Sequence, residues 1–120
     1  MDFATLRAYL LSKPDASEDF PFDTVTLVAK VGDKMFALVG IDETPLRVNL
    51  KCRPEQAEVL RELYPAVLPG YHMNKRHWNT VVLDGSLPDE DVLGMIDDSY
   101  ELVCQGLPRA RQPYSRVKAS

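Results

Sequence analysis

The residues best suited to chemistry lie between positions 71 and 85. This stretch holds the only tryptophan of the chain, both histidines and the adjacent cations Lys75 and Arg76, and its first acidic residue is Asp84. Lysine and arginine side chains neutralise phosphates, and an indole ring stacks on nucleobases. The stretch therefore predicts a contact with nucleic acid. A solvated turn and a tryptophan of the core explain the same residues without any ligand.

The elements that position these side chains form a predicted β-hairpin. One strand runs over residues 67–73 and bends at Pro69-Gly70, a cationic turn covers 74–77, and a second strand covers 78–83. In the preceding strand, 46–52, the period of two places Arg47, Asn49 and Lys51 on one face. If Val81 faces the helices, Trp78 shares the open face with these cations. The candidate nucleic-acid-binding residues are Arg47, Lys51, Asn74, Lys75, Arg76, His77 and Trp78.

Composition limits the possible functions. The chain has 120 residues, of which 45% are hydrophobic and 27% charged, and these values are typical of one globular domain. The net charge of −4 argues against indiscriminate binding to polyanions, so a nucleic-acid function has to rest on local clustering. No apolar run reaches the length of a membrane span, and the N-terminus lacks the pattern of a signal peptide. We expect a cytoplasmic protein with no membrane partner.

The two cysteines and the two histidines predict neither a metal site nor catalysis. Cys52 and Cys104 lie far apart in apolar patterns, so we expect buried, reduced and inert thiols. Their spacing from His72 and His77 matches no common zinc motif. The sequence also lacks a nucleophile elbow and a phosphate-binding glycine-rich loop. We therefore expect no enzyme activity and no cofactor.

The periodicity along the chain predicts the order α-β-β-β-α-β-β-α. The predicted helices cover 3–12, 54–64 and 88–107, and the predicted strands cover 24–31, 34–41, 46–52, 67–73 and 78–83. Short connections make the sheet mainly antiparallel, and amphipathic helices have to cover one of its faces. The expected fold is a two-layer α+β domain over residues 1–108, with a five-stranded sheet and strand 34–41 in an inner position. Residues 109–120 are expected to form a basic, flexible tail.

A predicted core follows from the apolar faces of these elements. It comprises Val25, Leu27, Met35, Val39, Val48, Leu50, Leu60, Val81, Leu83, Val92, Ile96, Tyr100 and Val103. The acidic loop over 15–23 carries the motif Phe20-Pro21-Phe22, which we expect to insert its aromatic rings at the edge of the core. Binding of a peptide by these rings is the alternative.

Several segments resemble the MmcQ/YjbR family of small bacterial proteins. They are Lys34-Met35-Phe36-Ala37-Leu38, Asn49-Leu50-Lys51-Cys52 with Pro54, the hairpin over 69–81, and Ser99-Tyr100. The resemblance covers nearly the whole chain, and it departs from the family pattern at Asp23, where a glycine is expected. It implies a fold comparable to both the frataxin-like and the secretion-chaperone-like folds. It also implies a DNA-binding module with no catalytic residue.

Two functions therefore compete. The first is nucleic-acid binding, DNA above all, by the hairpin turn and the neighbouring strand cations. The second is a protein- or peptide-binding adaptor or chaperone-like module that uses the open sheet face and the aromatic loop. We expect a monomer or a weak dimer in either case.

Overall fold

A six-stranded antiparallel sheet carries three helices in the computed structural model, which describes residues 1–113. The helices are α1 (Phe3–Leu11), α2 (Pro54–Leu63) and α3 (Asp89–Gln105). The strands are β1 (Ala16–Asp19), β2 (Thr26–Val31), β3 (Lys34–Gly40), β4 (Arg47–Lys51), β5 (Val67–Pro69) and β6 (Trp78–Val82). Their order across the sheet is β1-β2-β3-β4-β6-β5. The α+β class, the antiparallel sheet and the inner position of β3 are as predicted.

The predicted five strands and their order are wrong, because β1 adds a sixth strand where the sequence indicated a loop. Strand β1 pairs with β2 from Ala16 opposite Val31 to Asp19 opposite Val28. Its acidic residues are poor strand formers. Tertiary contacts stabilise them instead, since Glu18 binds Arg7 of α1 and Asp19 lies 3.6 Å from Lys30. Charged side chains also suit an edge strand, because they discourage pairing with another chain.

A β-bulge between β2 and β3 determines which face Met35 and Phe36 occupy. The register shifts between Ala29 and Lys30, so that Lys30 lies opposite Met35 and Phe36 has no partner in β2. Phe36 thereby turns into the main core, where its ring meets the ring of Tyr100 edge-on at 5.3 Å. Met35 packs on the opposite face of the sheet. The predicted place of Met35 in the main core is therefore wrong.

Ser99 of α3 joins β3 to β4 beyond the last pair of their ladder, Ala37 opposite Leu50. Its hydroxyl accepts a hydrogen bond from the N–H of Lys51 at 2.8 Å and donates one to the carbonyl of Phe36 at 2.6 Å. The side chain of a helix thus replaces one rung of the sheet, which satisfies two backbone groups that burial would otherwise penalise. This contact attaches α3 to the C-terminal end of β4, which lies close to the predicted hairpin.

The main core lies between the helices and one face of the sheet. It contains most of the predicted members: Leu27, Val39, Val48, Leu50, Val81, Val92, Ile96, Tyr100 and Val103. Leu60 and Leu83 are only partly buried. Val25 is 38% exposed, because β2 begins one residue after it. A second, smaller cluster on the opposite face, hereafter the open face, consists of Val28, Leu38 and Trp78 with Met35 and Met73 against it.

The thiols and the aromatic loop differ in part from expectation. Both cysteines are free, but only Cys104 is buried and Cys52 is half-buried. Burial raises the pKa of both thiols. Phe20 and Phe22 are 40% and 65% exposed, so the predicted insertion of these rings into the core edge is wrong. Asp23, at the departure from the family pattern, accepts hydrogen bonds from the N–H groups of Val25 and Thr26 and closes the turn itself.

The described part of the predicted tail begins with a short 3-10 helix, Arg109–Arg111, and Arg111 lies 2.8 Å from Asp33. The rest of that prediction, residues 114–120, lies outside the described residues. Within residues 1–113, no helix is both long enough and apolar enough to cross a membrane.

Candidate nucleic-acid interface

The loop between β5 and β6, residues 70–77, is held in shape by its own backbone. The N–H groups of His77 and Trp78 both donate to the carbonyl of Asn74, at 3.1 and 2.9 Å. The Asn74 side chain accepts a hydrogen bond from the N–H of Arg76 at 2.9 Å, which is the geometry of an Asx turn. Asn74 therefore acts as the structural centre of the turn. The first strand of the predicted hairpin ends at Pro69, earlier than expected.

Gly70 permits the close approach of the two ends of this loop. Its N–H donates to the carbonyl of Trp78 at 2.9 Å. A Cβ atom added to Gly70 would lie 2.9 Å from both the Cβ and the carbonyl oxygen of Trp78. Real Cβ atoms do not come so close to a backbone oxygen, so only glycine fits without a shift of the backbone.

Lys75 and Arg76 lie exposed on the loop, and α2 supports the backbone beneath them. The guanidinium of Arg61 donates to the carbonyl of Lys75 at 3.0 Å and to that of Ala57 at 3.2 Å. The Lys75 ammonium donates to the carbonyl of Gly70 at 3.2 Å. The N–H of Cys52 reaches the carbonyl of His77 at 2.7 Å. The loop is thus attached both to α2 and to the end of β4.

The cations of the chain divide into two groups by their ion pairs. Among the described residues, the cations paired with a carboxylate are Arg7, Lys13, Lys30, Arg47 and Arg111. Lys34, Lys51, Arg53, Arg61, Lys75, Arg76 and Arg109 form no ion pair within residues 1–113, and we refer to the first six of these as the basic end. They lie at the start of β3, the end of β4, on α2 and on the loop. Cations without a carboxylate partner remain available to phosphates.

Lys51 and Arg47, two of the predicted nucleic-acid-binding residues, differ in their distance from the loop. Lys51 lies opposite Trp78 in the β4–β6 ladder and therefore beside the loop, as the strand parity predicted. Arg47 lies opposite Val82, four residues and about 13 Å along the strand, and pairs with Glu43 at 3.8 Å. The structure therefore brings Lys51, but not Arg47, to the loop.

The indole of Trp78 packs against other side chains of the protein and is not exposed on the surface. It is 9% exposed and belongs to the cluster of Val28 and Leu38 on the open face. An indole buried to this extent leaves little ring surface for a base to stack on in this arrangement. His77 is half-buried, whereas His72 is exposed and its ring lies 4.0 Å from that of Tyr71. No set of three potential metal ligands occurs among residues 1–113.

The groove between α2 and the loop contains both signs of charge. Glu55 and Glu58 line it together with Arg61, Lys75 and Arg76, and its volume is about 450 Å³. A phosphate would therefore be drawn to the outer rim of the loop, and the glutamates would repel it from the groove. Arg61 is not among the residues predicted from the sequence for this site. The signal was its spacing of four residues from the buried Ala57, which turns it towards the sheet side of the helix.

Fold and site together define a small two-layer α+β domain with a basic loop at one end of its sheet. The family model described as YjbR matches residues 11–102. The chain is 39% identical to the YjbR protein of Escherichia coli K12 over 112 residues, which is 93% of this chain and 95% of that one. It is 32% identical to the YbdF protein of Escherichia coli O157:H7, with 95% and 92% of the two chains covered.

Two solved structures are also similar to this chain. A Deinococcus radiodurans protein superposes with a TM-score of 0.88 at 42% identity and covers 95% of this chain and 87% of its own. The crystal structure of a Pseudomonas syringae protein gives 0.73 at 32% identity, with 85% and 98% covered. The chain belongs to the YjbR family, as the sequence resemblance indicated.

Proposed function

We propose that this protein binds nucleic acid, DNA in the first place, through the basic end, with Lys75 and Arg76 as the principal phosphate contacts. The observation that carries the proposal is the gathering of four cations that lack ion pairs, Lys51, Arg61, Lys75 and Arg76, around one loop, in a chain whose net charge is −4. An acidic protein binds a polyanion only where its positive charge is locally concentrated and unpaired.

The rigidity of the loop supports this function. Its backbone is held by Asn74, by Arg61 and by the bond from Cys52 to His77, so little conformational entropy would be lost when a phosphate binds. The proposal assigns Trp78 the task of anchoring the loop to the open face. It assigns no catalytic residue. It assigns no phosphate contact to Arg47, which remains paired with Glu43.

The test is a binding titration with a fluorescently labelled duplex and a labelled single strand at low salt. The double variant Lys75→Glu/Arg76→Glu should lose most of the affinity and keep the melting temperature, because both side chains are exposed. The matched control is Arg7→Glu/Arg47→Glu, which makes the same change in net charge at two exposed, ion-paired arginines outside the basic end. A thermal melt checks that this control stays folded without the pair between Arg7 and Glu18 of β1. An equal loss of affinity in both variants would mean diffuse attraction and would contradict the assignment of the site.

A protein partner is the second candidate, and one observation favours it. Phe20, Phe22 and Val25 expose 40%, 65% and 38% of their surface in one short segment between β1 and β2. Exposed aromatic side chains at such a density are typical of contact surfaces. Absence of binding to duplex and single strand at low salt would leave this function ahead.

A further inference from the structure

Two adjacent cavities lie between α2, α3 and the face of the sheet that carries the helices. The inner chamber has a volume of about 20 Å³, and Asn79, Leu60 and Met95 contribute to its wall. The outer cleft has a volume of about 360 Å³ and lies between the start of α2 and α3. Cys52 and Asp98 line both cavities, so these two residues mark the passage from one to the other.

Asn79, in the wall of the inner chamber, carries a hydrogen-bond acceptor that lacks a donor. Asn79 is only 2% exposed, and its Nδ2 donates to the carbonyl of Ala57 at 3.3 Å. That bond fixes the orientation of the amide, which leaves Oδ1 without a partner among the described residues. Buried acceptors are almost always satisfied, so a donor belongs in this chamber. Its volume is close to that of one water-sized sphere, and it admits a small head group only.

The charges around the passage favour a cationic donor. Asp98 forms no ion pair within residues 1–113, and Glu55 of the first helical turn of α2 lines the outer cleft. Burial, followed by the charges of Asp97 and Glu101, raises the pKa of the Asp98 carboxyl. Arg53 also lines the outer cleft but forms no ion pair with Asp98, so this carboxylate has no cationic partner within residues 1–113. The apolar walls at Leu60, Met95 and Leu102 suit an alkyl chain.

We propose that the cleft between α2 and α3 binds a small aliphatic amine, whose ammonium group enters the inner chamber and donates to Asn79 Oδ1 and to the Asp98 carboxylate. The outer cleft falls in the range of small-molecule sites, roughly 300–1,000 Å³. A second ammonium at the other end of a diamine would lie in the outer cleft near Glu55. The proposal does not depend on nucleic-acid binding, because the basic end contributes only Arg53 to this cleft.

The test is a titration of the protein with the diamine putrescine, followed by calorimetry and heteronuclear NMR. Saturable shifts are expected for the side-chain amide of Asn79 and for the backbone amides of Cys52 and Asp98. The neutral control is the diol with the same carbon chain, which should give neither heat nor shifts. Equal binding of the diol, or no saturable shift with putrescine, would overturn the proposal and leave a buried water as the partner of Asn79.

Two variants test the assigned contacts. Asp98→Asn should weaken the binding of putrescine roughly tenfold or more, because it removes a charge-assisted hydrogen bond. Asp97→Asn is the matched control: it makes the same charge change one residue earlier, where the carboxylate binds Lys13 and Tyr9 outside the cleft. Asn79→Leu should abolish binding, and a thermal melt shows whether the variant is folded. If it is not folded, the comparison of the two aspartate variants decides, and equal affinities for both would contradict the site.

Discussion

The variant Trp78→Ala distinguishes two roles of Trp78. In the first the indole packs in the cluster on the open face and anchors the loop, and in the second it stacks on a base. The indole is 9% exposed and contacts a cluster in which Val28 and Leu38 are 0% and 5% exposed. A buried aromatic side chain of this size removes roughly 150–250 Å² from water. At about 25 cal/mol per Å² this corresponds to about 4–6 kcal/mol, and aromatic-to-alanine changes in cores cost about 3–5 kcal/mol.

Such a loss is large for a domain of this length, because total stabilities are about 5–15 kcal/mol. We expect the melting temperature of Trp78→Ala to fall by roughly 10–20 °C. The loss should appear in calorimetry and in urea denaturation alike. Trp78→Phe is the control, since it keeps a ring on the open face and should lose much less. At a temperature where Trp78→Ala is folded, its nucleic-acid affinity should fall only to the extent that the loop is no longer held against the cluster on the open face.

The opposite result would refute the packing argument. If Trp78→Ala melted like the wild-type protein but lost nucleic-acid affinity by a factor that salt did not change, the ring would have to leave the cluster and stack on a base. Stacking contributes roughly 1–3 kcal/mol per base and depends little on salt.

Two further predictions concern α3. Ser99→Ala removes the hydroxyl that bridges β3 and β4 and leaves the half-buried N–H of Lys51 and the buried carbonyl of Phe36 without partners, so it should cost about 2–4 kcal/mol of stability in urea denaturation. Ser99→Thr keeps the hydroxyl and separates this loss from packing, and an unchanged stability of Ser99→Ala would contradict the bridge. Asp98→Asn should raise the melting temperature at pH 7, because burial, Asp97 and Glu101 raise the pKa of Asp98 and make its ionised form unfavourable in the folded state. A carboxyl whose pKa is raised in the folded state makes the wild-type protein more stable as the pH falls. The advantage of the variant in melting temperature should therefore shrink towards acidic pH in a series of melts, and an advantage independent of pH would contradict the raised pKa as its cause.

The parts of the fold that follow a simple period were predictable from the sequence. The alternation of β4 and β6 placed Lys51 and Trp78 on one face, and the register confirms that they lie opposite each other. The inner strand β3 was recognisable because apolar residues occupy both of its faces. The family was recognisable because the hairpin and the Ser99-Tyr100 pair resemble its pattern, and these residues have structural tasks in the fold.

Features that depend on contacts between distant residues were not predictable. The bulge puts Phe36 on the same face as Ala37, which exchanges the predicted faces of Phe36 and Met35, and no alternation in β3 indicates it. Strand β1 owes its pairing to Arg7 and Lys30, which lie on other elements. The unpaired acceptor of Asn79 results from the packing of a strand against two helices, and the residue alone gives no sign of it.

The slope of the logarithm of the DNA affinity against the logarithm of the salt concentration tests the central claim most directly. With about four phosphates neutralised, the wild-type affinity should fall on the order of a hundredfold between 50 and 200 mM salt. The Lys75→Glu/Arg76→Glu variant should lower the magnitude of this slope by about two units, while the Arg7→Glu/Arg47→Glu control keeps it. An unchanged slope in the loop variant would contradict the proposal that the basic end contacts the phosphates.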